Sequence, residues 1–145
     1  MEPQPTPIVQ PTQVAPISLL VLFCQAIAIY EGGTEAGTIP YRCHNPGDLR
    51  WPYGAPYPYG ASGVDFGDFL TFDTYQDGLN ALKTYVTRVA KGLSKVYPPK
   101  STISQFFAIY APSSDSNNPN AYADFIVAYV GNELSTTSLL SVLLS

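Results

Sequence analysis

Charge is scarce in this chain. Only 12% of its 145 residues are Asp, Glu, Lys or Arg, and the net charge is -4. Binding to nucleic acid needs a basic face, which that balance denies. It equally denies a general attraction to anionic membranes or wall polymers, so recognition must come from a shaped site. Cysteine and histidine are scarcer still: Cys24, Cys43 and His44 are all there are. They meet no zinc-ligand spacing, and neither a metal nor a cofactor is expected. His44 would have to be the sole base of any nucleophilic triad, and no glycine-rich phosphate loop follows a strand. Cys24 reads as a small buried apolar residue, and a bridge to Cys43 would require the intervening loop to fold back.

A membrane-spanning run is also missing. Residues 17–30, ISLLVLFCQAIAIY, have only Ser18 and Gln25 as strongly polar members, but a bilayer needs about 20 residues. A helix apolar nearly all round is then a core helix. No Lys or Arg precedes it before Arg42; the flank MEPQPTPIVQPTQVAP carries Glu2 and five prolines. That flank is not the positive n-region of a signal peptide. Residues 1–16 read as an extended, polyproline-like arm that clamps the domain or tethers it to a partner. Residues 17–145 read as one domain, 46% of the whole chain being apolar, which is enough to fold around a core.

The core helix ends where chemistry begins. Glu31 falls in its last turn, and Gly32 is placed for the left-handed conformation that closes many helices. A helix C-terminus disfavours a carboxylate, and apolar surroundings disfavour its charge further. Both effects raise the pKa of Glu31, as a general acid working near neutral pH requires. The bland alternative leaves Glu31 pointing into water beyond the helix.

Past Glu31 the chain turns rich in Gly, Pro and Tyr, with turn signals at Asn45-Pro46-Gly47 and through residues 51–60. YRCHNPGDLRW reads as a tight turn leading into a short extended piece, and WPYGAPYPYGASG as an irregular aromatic loop. VDFGDFLTFD predicts one or two short strands needing a helical cover. DTYQDGLNALKTYVTRVAKG predicts a helix capped by Asp73 or Thr74, with Leu79, Leu82, Val86 and Val89 as its apolar stripe. STISQFFAIYAP predicts a short helix capped by Ser101 or Thr102 and stopped at Pro112. AYADFIVAYVGNEL and STTSLLSVLL predict two more. The fold class is therefore α+β, mainly helical, with about five helices and a small irregular β region.

The order of these pieces resembles a family. A core helix ending in Glu-Gly, then Asn-Pro-Gly-Asp-Leu-Arg, Phe-x-x-Phe-Asp and Asp-Gly-Leu-x-Ala-Leu, is similar to lysozyme-like domains of phage particles and related peptidoglycan lytic enzymes. Thr-Ile-Ser-Gln-Phe, Ile-Tyr-Ala-Pro and Asn-Ala-Tyr follow in the same order, so the resemblance covers roughly residues 20–130. This chain has Asp48 where the family pattern has Asn, and His44 where it often has Asn. The resemblance implies a lysozyme-like fold with a cleft between a helical lobe and a small β region. The implied substrate is the glycan strand of peptidoglycan, cut at the β-1,4 bond between N-acetylmuramic acid and N-acetylglucosamine. Glu31 takes the place of the family's acid. The resemblance also implies a protein made in the cytoplasm and acting at the bacterial cell wall, carried in a phage particle whose other proteins the arm contacts.

Mechanism turns on a second carboxylate. Two carboxyl groups about 5–5.5 Å apart suit a retaining hydrolase, and about 6.5–9.5 Å an inverting one. Asp48, Asp65, Asp68 and Asp73 are the candidates, although Asp48 also reads as a turn residue and Asp73 as a helix cap. Lytic transglycosylases, which this arrangement resembles, manage with one Glu and make a 1,6-anhydro product; the sequence leans narrowly to that chemistry over a muramidase. For the sugar faces the candidates are Trp51, Tyr53, Tyr57 and Tyr59 in the Pro/Gly loop, with Tyr110, Asn117 and Tyr122 on the far wall. Asn45 and Arg50 would orient substrate or hold the turn. The competing class is a non-catalytic phage structural or wall-binding protein of the same shape.

Overall fold

The apolar run becomes helix α1, Leu19–Tyr30, with Ser18 as its N-cap accepting from the Val21 amide at 3.2 Å. The computed structural model describes residues 17–145; the expected arm at 1–16 lies outside the described residues. Phe23, Cys24, Ala26, Ile27 and Ala28 are no more than 1% exposed. The ends of the run emerge instead, Ile17 at 55% and Ile29 and Tyr30 near 40%. Apolarity all round thus buries the middle of α1, and the ends meet the surface.

Helix α2, Ile39–Arg42, is a single turn within the expected loop, capped by Thr38 and led by Pro40. β1, Gly63–Asp65, and β2, Phe69–Thr71, pair antiparallel with Val64 opposite Leu70. Arg50 adds an isolated bridge to Phe69, so the piece after the tight turn is extended as expected. α3, Tyr75–Ala90, is capped by Thr74, with Asp77 in its first turn. α4, Ile103–Tyr110, has Thr102 and Gln105 in a reciprocal capping box. α5, Pro119–Val130, starts from Asn118.

The expected last helix does not form. Leu140–Leu144 is a 3-10 turn, and Leu139 bridges Thr102. The Ser/Thr cluster before it bonds locally, with the Ser135 amide on the Ser138 hydroxyl at 3.0 Å. Such side chains offer the backbone an alternative to helix. The Ile103 amide then captures the Ser138 carbonyl at 3.0 Å. Among the described residues there are still five α-helices, since α2 is not among those expected. Leu140 and Leu143 still reach the core, as their spacing predicts.

The core joins α1 to α5 and α3, with α4 against α5. Its centre is aromatic: the Phe107 ring stacks on Tyr122 at 4.4 Å and lies 5.7 Å from Phe23. Cys24 and Cys43 are buried free thiols, and desolvation pushes the Cys24 thiol up to about 12. No helix among the described residues is long and apolar enough to cross a membrane.

Candidate active site

The site is assembled by a closed turn locked onto two helices. Asn45 is fully buried, and its amide donates to the carbonyls of Leu49 and Leu70 at 2.8 and 2.9 Å. Its own oxygen accepts from the Leu49 amide at 2.9 Å. One side chain thus closes the turn and ties it to β2. The turn approaches α3 so nearly that a Cβ on Gly78 would lie 1.8 Å from the His44 carbonyl oxygen. On its other side Pro46 sits against Gly33, where a Cβ would meet the Pro46 Cα at 2.9 Å. The Tyr110 hydroxyl donates to the Gly47 carbonyl, fastening α4 to the same turn.

Glu31 is the C-cap residue of α1, one position past the expected last turn. Gly32 at φ +78° closes the helix: its amide returns to the Ile29 carbonyl at 3.1 Å and that of Gly33 to Ala28 at 2.8 Å. This is the Schellman arrangement that Gly at this position permits. Tyr122, 1% exposed on α5, donates its hydroxyl to Glu31 Oε1 at 2.8 Å. Burial raises the Glu31 pKa from 4.5 to about 7. The Tyr122 bond and Arg50 oppose that rise, and the negative charge of Asp48 adds to it.

Asp48 stands in the left-handed region at φ +55°. Its Oδ1 is buried without a hydrogen-bond partner among the described residues. Burial lifts its pKa from 3.8 to about 6, against the pull of Arg50 and with help from Asp68.

Both acids line one groove of about 690 Å³. Of the expected sugar-binding residues, the groove gathers Arg50, Trp51, Tyr53, Tyr59, Tyr110 and Asn117. Trp51 is steadied by donating to the Gly54 carbonyl at 2.7 Å and holds Tyr53 edge-on at 4.9 Å. Tyr53 is 77% exposed and free to meet a ligand. Three expected members are placed otherwise. Tyr57 is half-buried against the core and lies off the groove. Asn45 and Tyr122 are buried beyond reach of a ligand; the first holds the turn and the second holds Glu31.

The remaining acids stay outside. Asp65 is exposed and accepts from the Phe66 amide at 2.8 Å. Asp68 faces Arg50 at 4.0 Å, a weak pair whose guanidinium also covers the Phe69 ring at 4.5 Å. Asp73 is exposed next to Thr74, which does the capping.

Sequence reasoning overlooked Tyr85, Tyr97, Arg88 and Lys95, which also line the groove. The Tyr85 and Tyr97 hydroxyls meet at 2.7 Å, and Tyr59 leans edge-on against Tyr85. A usable signal existed: Tyr85 follows Leu82 by three and precedes Val89 by four, at the margin of the α3 stripe. A second cavity of about 540 Å³ crosses α3 beside Leu20 and Lys83 and contains no acid. Among the described residues no group of three His, Cys, Asp or Glu could hold a metal. Comparison with protein-family models, curated proteins and solved structures gives no match.

Proposed function

We propose that this chain is a lysozyme-like enzyme that cuts the glycan strand of peptidoglycan at the N-acetylmuramic acid–N-acetylglucosamine β-1,4 bond. Glu31 is its general acid. The observation that carries this reading is the placement of Glu31 on an aromatic-walled groove at the end of α1, where burial raises its pKa to about 7. A glycosidic oxygen is a poor leaving group until protonated, so the acid must retain its proton near neutral pH. Desolvation at the end of α1 favours that, and the Tyr122 hydroxyl fixes the carboxyl orientation. Sugar rings present apolar C–H faces that Trp51, Tyr53 and Tyr59 can cover, while Asn117 and Arg50 offer donors to hydroxyls. The substrate itself comes from the ordered motif resemblance of residues 20–130. On this reading the protein works at the bacterial cell wall, delivered with a phage particle that residues 1–16 contact.

Incubation with purified peptidoglycan, followed by analysis of released muropeptides, tests the proposal. Cleavage by the wild type that Glu31→Gln abolishes is the expected result. Wall binding without any released fragment would overturn the enzymatic reading and leave a structural, wall-binding protein.

A further inference from the structure

Five acids follow Glu31 in the loop and strand region, and only one of them keeps its company. Glu35 is exposed and lies off the groove. Asp65 spends its oxygen on a neighbouring amide, Asp68 lies beside Arg50, and Asp73 is exposed at the start of α3. Asp115 lines the groove but is exposed beyond α4, and it does not figure among the charges acting on Glu31. Asp48 lines the groove with Glu31, and its negative charge raises the Glu31 pKa through space.

The turn does not use the Asp48 side chain. Closure is supplied by Asn45, and what Asp48 gives the turn is its backbone amide, on the Asn45 carbonyl at 3.0 Å. Left-handed backbone at Asp or Asn is ordinarily relieved by a local side-chain hydrogen bond. Here Oδ1 is buried and makes none. A buried acceptor without a partner is destabilising, and so is backbone held off its favoured regions. Among the described residues no group bonds that oxygen, which is the pattern of a residue kept for chemistry.

We infer that Asp48 is the second carboxylate of this site, acting as general base on the water that completes glycan cleavage. This rests on the reading of Glu31 as acid and deepens it by naming the acceptor. Glu31 gives its proton to the glycosidic O4 as the C1–O4 bond breaks, releasing N-acetylglucosamine with a free 4-hydroxyl. Asp48 takes one proton from water while the water oxygen bonds to C1. The new muramic acid end is a reducing hemiacetal, and the chain is changed by one water only. Proton exchange with solvent returns Glu31 to the acid and Asp48 to the carboxylate. The transglycosylase outcome, a 1,6-anhydro end formed without water, is then not the product.

Burial raises both pKa values, that of Asp48 to about 6 and that of Glu31 to about 7; the two roles require Asp48 ionised and Glu31 protonated. The titratable and charged groups that interact with Asp48 through space are Glu31 from α1, Cys43 after α2, Arg50 and Asp68 from the strand side, and Tyr110 from α4.

The experiment digests purified peptidoglycan with the wild type, Asp48→Asn and Glu31→Gln, and reads muramic acid ends by mass spectrometry after borohydride reduction. Asn tolerates positive φ, so the variant keeps the turn. Expected are reducible ends from the wild type and a fall on the order of 100-fold or more in Asp48→Asn. The acid limb of the pH profile near 6 should vanish with it, while the melting temperature holds; a merely structural role would not remove that limb. Added azide or formate should restore part of the cleavage in Asp48→Ala. Anhydro ends from the wild type overturn the inference without any variant. Glu31-dependent cleavage that Asp48→Asn leaves at wild-type rate and pH profile overturns it too, and leaves Glu31 as acid untouched. A wild type that cleaves nothing, or a Glu31→Gln that cleaves normally, removes the acid reading and this one together.

Discussion

Glu31→Gln should stabilise the protein at alkaline pH and not at acid pH. The folded chain raises the Glu31 pKa from 4.5 to about 7, so between those values the native state holds a proton that the unfolded state releases. Stability from this group is complete below pH 4.5 and is lost as pH rises through 7. At 1.36 kcal/mol per pH unit, the loss amounts to about 3 kcal/mol. Gln does not titrate and can still accept from Tyr122, so its variant escapes the loss. The assay is urea unfolding of both proteins at pH 4 and pH 8.5, compared as a difference of differences in which the other titrating groups largely cancel. An advantage for Glu31→Gln of about 3 kcal/mol should appear only at the higher pH, a large share of the 5–15 kcal/mol typical of a domain. A pH-dependent difference under about 1 kcal/mol would mean that Glu31 ionises as an ordinary carboxylate. The general-acid proposal would then lose its physical basis, whatever the fate of peptidoglycan.

Tyr122→Phe removes the hydrogen bond that favours the ionised form of Glu31. Bonds to charged groups are worth about 1.5–3 kcal/mol, so the Glu31 titration, followed by carbon NMR of its carboxyl, should move up by about 1 pH unit or more; a downward move refutes the assignment. Asn45→Ala removes a donor from the Leu49 and Leu70 carbonyls and the acceptor of the Leu49 amide, though the Leu49 carbonyl keeps the Leu70 amide. Unfolding in urea should reveal a loss on the order of 3 kcal/mol, and a loss below about 1 kcal/mol would show that the turn closes without the amide. Gly78→Ala would gain about 1 kcal/mol in helix propensity, yet its methyl collides with the His44 carbonyl. Thermal unfolding should register a net loss of about 1–3 kcal/mol, and any gain would contradict that close approach.

Local signals served well where one side chain meets its own neighbours. Thr74 and Thr102 cap the helices they precede, and Gly32 closes α1. The Phe-rich tract yields two short strands because its turn residues and alternation act over a few positions. Failures have the same origin in reverse. STTSLLSVLL has helical leucine spacing, but its Ser/Thr cluster and a captured carbonyl bind the backbone elsewhere. Tyr122 has the look of a wall aromatic, yet packing between α1 and α5 buries it. Asp48 and Asp73 were indistinguishable as turn and cap residues, since only neighbours in space reveal which carboxyl is left without a partner.

The residues from 17 to 33 were sufficient to dictate a buried helix ending in a disfavoured acid, because propensity, capping and apolar pattern act between near neighbours in the chain. Whether that acid holds its proton was decided by residues far along the chain: Tyr122 from α5, Asp48 and Arg50 from the turn, and the packing that removes water. Desolvation and Coulomb interaction depend on distance through space. Only the folded chain, with α5 and the turn brought against the end of α1, sets those distances.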